Sequence, residues 1–273
     1  MAGRVSPKFL DGASGRLFTL YFAPTTPIRG AILYLPPFAE EMNRCRALVS
    51  AQARALANRG YAVMLLDLYG TGDSGGELTD ATWDAWRSDV VSAANWLHNT
   101  CGAAVTLWGC RLGALLAADV AGQNPGQYTR LLLWQPVIDG KLFMTHTLRQ
   151  RVAFLMGQGL PPETTEQMRT QLQTDTALVI SGYVLPGALC NAIDQMHIAQ
   201  CSLSHAHIDW LENVSEPGKP LSIGSQKTID RLRSQGAAVA VHPFCAPPIW
   251  QLHERDEAPD LLEKTTALFE CIA

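Results

Sequence analysis

The chain has 273 residues, of which 47% are hydrophobic and 17% charged, enough for one large α/β domain with an insertion and typical of a soluble globular protein. A net charge of −4 with no run of Lys or Arg excludes a phosphate-binding stripe and so argues against a nucleic-acid partner. The longest apolar stretches are of strand length or interrupted, so no membrane span is expected.

Arg16–Ala23 alternates moderately and reads as an edge strand. Gly30–Leu35 is a short apolar run stopped by Pro36-Pro37, the pattern of a buried strand. Residues 43–58 have helical spacing, with Leu48, Ala51, Ala55 and Leu56 on one face and Gly60 ending the helix. Tyr61–Leu66 is a second buried strand, 67–76 a glycine-rich loop, and 84–98 a helix with Trp86, Val90, Ala93 and Leu97 inward. An apolar strand at 104–110 runs into an apolar helix, and Leu131–Pro136 is the next strand. Strand and helix alternating through short links predict a mostly parallel sheet covered on both faces. From 140 to 205 the pattern turns helical (141–157, 164–174 and 186–198), without a strong strand, as expected of a helical lid or of helices that only brace the sheet edge. Strands at 207–214 and 237–242 and helices at 222–234 and 257–271 complete the pattern. With the turn Gly-Cys-Arg-Leu-Gly at 109–113 between strand and helix, the expected organisation is an α/β-hydrolase fold with core segments 1–139 and 206–273 around the insertion 140–205.

Gly109-Cys110-Arg111-Leu112-Gly113 lies between the strand at 104–110 and its helix. The α/β-hydrolase elbow is Gly-x-nucleophile-x-Gly in that setting, and here the nucleophile's place is held by Arg111, whose guanidinium stays protonated and cannot attack a carbonyl. Acyl transfer further needs a His base, an orienting acid and oxyanion donors. The donors would be the backbone N–H of Leu112 and, because prolines have none to give, of Phe38. Cys110 adjoins the elbow, where Arg111 and the helix N-terminus would favour its thiolate; packed away at a sharp turn, it is structural instead. Ser74 in Gly-Asp-Ser-Gly-Gly matches a protease nucleophile motif of all-β folds and reads here as a surface turn. Glu216 is the best-placed acid and Glu212 the second. His253 stands where the base is expected, Trp250 competes for that place, and His242 lies earlier at a strand end. Glu40 and Glu41 open the helix after the oxyanion loop, complementing its dipole or pairing across the pocket mouth with Arg111, which needs a carboxylate or an anionic ligand if enclosed.

Seven cysteines (Cys45, Cys101, Cys110, Cys190, Cys201, Cys245 and Cys271) are odd in number and lack paired metal spacing. Reduced thiols in a cytoplasmic protein are expected, with no metal or cofactor, and residues 1–11 carry no export signal.

Four blocks, Leu35–Asn43, Leu66–Ser74, Leu107–Leu115 and Leu133–Val137, with Ser181-Gly182-Tyr183 and Pro248-Ile249-Trp250, resemble the α/β-hydrolase-like family called exosortase A system-associated hydrolase 2. The resemblance runs nearly the whole length and implies that Arg at the elbow is a family trait, with Leu more common where Cys110 stands. It also implies a place beside exopolysaccharide biosynthesis and the exosortase that processes PEP-CTERM proteins. Two readings follow: an atypical hydrolase or acyltransferase acting on an ester, thioester or amide of a small acyl or glycan-derived molecule, or a non-catalytic relative that binds an anionic ligand or a pathway protein.

Overall fold

A computed structural model describes residues 4–174, 176–251 and 257–270. In chain order the elements are β1 (Val5–Asp11), β2 (Arg16–Phe22), β3 (Gly30–Leu35), α1 (Glu40–Ala57), β4 (Tyr61–Leu66), α2 (Trp83–Cys101), β5 (Val105–Cys110), α3 (Leu112–Gln123) and β6 (Arg130–Trp134). They continue with α4 (Gly140–Gly157), α5 (Thr165–Gln173), β7 (Leu178–Ile180), β8 (Tyr183–Leu185), α6 (Gly187–Asp194), β9 (His207–Asn213), α7 (Ile223–Ser234), β10 (Ala238–Phe244) and α8 (Pro259–Ala267).

Eight strands form one sheet in the order β1-β2-β4-β3-β5-β6-β9-β10. The six from β4 to β10 are mutually parallel, while β1 and β2 add on as antiparallel strands. The period-2 alternation of each strand divides the core between the two faces. Leu33, Leu35, Leu107, Leu131, Leu133 and Trp210 pack with α2, α3 and the insertion. Ile32, Tyr34, Trp108, Cys110, Leu132 and Trp134 pack with α1 and α8. Helix α3 runs through the middle, its residues from Leu112 to Ala121 all buried, which is why its sequence is apolar on every side save at Asp119, which accepts from Trp83 Nε1 and Arg87 Nε.

Two expectations are corrected. The outermost strand is β1, and β2 lies inside it, bonded on both edges; Pro7, which lacks an N–H for a ladder, sits on the edge strand where that is tolerated. The segment between β6 and β9 is not purely helical, because β7 and β8 form a hairpin closed by Ser181 and Gly182. Among the described residues no helix is long and apolar enough to cross a membrane.

Candidate functional site

At the junction of β5 and α3, Arg111 has φ 55° and ψ −117°, a strained conformation for a residue with a long side chain. Its backbone is tied down: Arg111 N–H donates to Trp134 O at 3.0 Å, and its carbonyl accepts from Val137 N–H at 3.1 Å. The flanking glycines are required by contact. A Cβ on Gly109 would lie 2.4 Å from the Ala114 Cα, and one on Gly113 would lie 2.2 Å from the Leu35 carbonyl oxygen. This is the geometry of a nucleophile elbow with an arginine at its apex. One strand away, Ala39 joins β3 to α1 with nearly the same angles, φ 51° and ψ −124°.

Those two turns face each other through an ion pair. Arg111 Nε donates to both Glu41 oxygens at 3.2 and 3.3 Å, and Nη2 to Oε1 at 3.1 Å. The Trp250 ring lies 5.1 Å from the guanidinium carbon, within cation–π range. The Nε/Nη2 edge of the guanidinium is therefore taken, while Nη1 donates to no group among the described residues. Burial raises the Glu41 carboxyl above its ordinary value, with Arg111 pulling the other way. Glu40 turns to Arg44 one turn along the helix, and Arg44 also donates to the Gln251 carbonyl, so α1 anchors the segment that carries Trp250.

The pair borders a cavity of about 860 Å³ between the C-terminal ends of the central strands and the insertion. Its wall includes Phe38, Gln135, Asp139, Phe143, His146 and Glu212. Gln135, at φ 41°, accepts from Asn213 N–H through its side-chain oxygen at 2.7 Å. Glu212 is 4% exposed and accepts from Trp210 Nε1 at 2.9 Å and Ser222 N–H at 3.2 Å. The N–H groups of Phe38 and Leu112 donate to no acceptor among the described residues; Leu112 is the first residue of α3, where an N–H has no intrahelical partner.

Several sequence candidates fall elsewhere. Cys110 is buried on the α1 side of the sheet, because the alternation of β5 sends its side chain away from the cavity. A hydrogen bond with Cys45 and full burial hold its thiol well above the ordinary value, so the nucleophile expectation is corrected. Glu216 is corrected likewise: its side chain is 71% exposed, 3.9 Å from Lys219, and does not border the cavity. His242 meets Asp209, itself bound by Arg130, outside the cavity wall. Ser74 is pinned in its turn, donating to Asp67 O at 2.5 Å and accepting from Phe18 N–H at 2.8 Å. His253 lies outside the described residues. The sequence reading missed Gln135, Asp139 and His146, which only the placement of α4 and the β6 loop brings to the cavity.

The strand order, the elbow and the cavity at the strand ends define an α/β hydrolase. The chain belongs to the family described as serine aminopeptidase, S33, whose family model matches residues 26–184. No curated protein matches it in sequence. Among solved structures it is similar to the Est1E protein of Butyrivibrio proteoclasticus with bound ferulic acid, at 14% identity and TM-score 0.65, covering 96% of each chain. It is also similar to mouse alpha/beta hydrolase domain-containing protein 10 (16%, TM-score 0.63, 98% of this chain and 100% of that one). A third is the alpha/beta hydrolase GrgF from Penicillium sp. sh18 (13%, TM-score 0.66, 98% of each). At these identities the likeness is one of fold.

Proposed function

We propose that this protein is a hydrolase-fold member that has exchanged nucleophilic catalysis for binding a small carboxylate-bearing ligand in the cavity under the insertion. The observation that carries this reading is the apex of the elbow. The side chain that should attack is a guanidinium, held by Glu41 along one edge, with its Nη1 donating to no group among the described residues. Guanidinium edges suit planar oxyanions. Of the carboxylates around the cavity, Glu40 and Glu41 are matched by Arg44 and Arg111. Asp139 caps α4 through Leu142 N–H, and Glu212 has its two donors. The residual negative charge selects a singly charged acid over a phosphate dianion. The insertion then serves as a lid. Resemblance to the exosortase-associated hydrolases supports an acyl- or glycan-derived acid and a partner in exopolysaccharide assembly.

The test is thermal unfolding with acetate, glucuronate or inorganic phosphate at millimolar concentration. Acetate or glucuronate should raise the midpoint more than phosphate does, and Arg111→Ser should abolish the rise; an equal rise in the variant overturns the reading.

A second reading is favoured by the raised Glu41 carboxyl and by the Phe38 and Leu112 N–H groups, which have no acceptor among the described residues. Glu41 would take a proton from water as the water oxygen attacks an ester carbonyl. The oxyanion would rest on the two N–H groups, and the proton would pass to the departing alkoxide. It requires slow ester hydrolysis that Glu41→Gln eliminates, with no labelling of the elbow by a fluorophosphonate.

A further inference from the structure

A second, smaller cavity of about 100 Å³ lies beside the elbow on the other side of the oxyanion loop. Phe38 and Ala39 border both cavities, and Leu112 borders the small one. The rest of its wall is mainly apolar: Pro37, Met42, Leu78, Trp83, Trp86 and Leu116. The Phe38 ring stands at the partition, edge-on to Trp86 at 5.9 Å on the small side and to Phe143 at 6.3 Å on the large side. Tyr183, from the β7–β8 hairpin, also borders the slot, and its hydroxyl accepts from Asn43 Nδ2 at 3.0 Å.

Both N–H groups, without an acceptor among the described residues, thus belong to residues that border an apolar slot, and Arg111 borders the polar chamber next door. We propose that the slot receives a short acyl chain of about three or four carbons, and that the ligand is an N-acyl or O-acyl compound with a carboxylate on its polar side. The acyl carbonyl oxygen accepts from Phe38 and Leu112 N–H, the chain enters the slot, and the carboxylate lies against Arg111. The length limit follows from size: about 150 Å³ of dry apolar cavity accommodates a benzene ring, and this slot is smaller. A methyl group would leave it mostly empty, whereas a long chain would have to displace Trp86 or Leu116 from a closely packed core. The inference rests on the ligand-binding reading above and adds the class of molecule.

The experiment is isothermal titration of the full chain with N-acetylglycine, N-butanoylglycine and N-octanoylglycine. N-Butanoylglycine should bind roughly tenfold more tightly than N-acetylglycine, from two further buried methylenes, and N-octanoylglycine should bind more weakly than N-butanoylglycine. Leu78, half-buried at the slot wall, gives two variants: Leu78→Trp should bring N-butanoylglycine down to the affinity of N-acetylglycine, and Leu78→Ala should move the optimum to a longer chain. Equal affinity along the series, tightest binding by N-octanoylglycine, or no binding by any of the three overturns the slot. The two ideas separate cleanly. A chain-length preference that survives Arg111→Ser removes the carboxylate contact and keeps the slot, whereas an Arg111-dependent response to acetate without chain-length preference does the reverse.

Discussion

Arg111 and Glu41 are each about four-fifths removed from solvent, so neither charge has enough water to stand alone. Arg111→Ala leaves Glu41 without its cation in a setting that already raises its carboxyl, and the shift grows. A carboxyl raised in the folded state contributes stability below its unfolded pKa and loses it as pH rises through the folded value. The loss in Arg111→Ala relative to the parent should therefore be larger at pH 8 than at pH 5, reaching about 1–3 kcal/mol in urea unfolding. Adding Glu41→Gln should recover most of it; a double variant as unstable as the single one at pH 8 would refute the pairing argument. The motif made Arg111 legible, and its need for a partner was legible from charge alone. Which of two adjacent glutamates answers was not. Helical rotation turns Glu41 across to β5 and leaves Glu40 to Arg44, and that rotation depends on the turn at Ala39.

At the scale of elements, the elbow depends on close approach between α3 and β3. Gly113 is the residue that permits it, since an added Cβ meets the Leu35 and Pro36 carbonyl oxygens at 2.2 and 2.5 Å, backbone atoms that cannot swing aside. Gly113→Ala should cost at least about 3 kcal/mol and weaken any ligand response that uses Leu112 N–H; unchanged urea unfolding would show that the helix has room to retreat. The buried parallel strands β3 and β4 were legible to the residue because both faces are covered and the run is uniformly apolar. The hairpin was not, because strands of three residues carry too little alternation to show against helical neighbours, and β7 is placed by packing on α4 and α5. Cys110 shows the same limit. Adjacency to the apex suggested reactivity, while the pleat of β5 turns the thiol to the opposite side of the sheet.

Across the whole molecule, pH also acts through a buried acid that lines neither cavity. Asp89 in α2 is fully buried, accepts from Tyr69 N–H at 2.8 Å and is pushed by burial from 3.8 to about 6. The folded state therefore holds a proton that the unfolded chain has released, so stability falls as pH rises from about 4 through 6 and remains lower above it. Asp89→Asn keeps the acceptor and removes the charge. It should stabilise the protein at pH 8 by up to about 3 kcal/mol, two pKa units being worth that much, and flatten the pH profile of urea unfolding between 4 and 6. A variant with the parent's slope would place the titration elsewhere.

The α/β-hydrolase architecture and the Arg-bearing elbow were determined by the sequence alone, because both are local. Glycine spacing, strand-length apolar runs and helix periodicity act over a few residues and point to one fold. Only the tertiary structure decided what surrounds the guanidinium, since the cavity is assembled from the oxyanion loop, the β6 loop, α4 and the Trp250 segment, distant in sequence and brought together by the crossovers of the sheet. Glu212 over Glu216, and Glu41 over Glu40, are matters of which way a side chain leaves its backbone, and packing sets that direction.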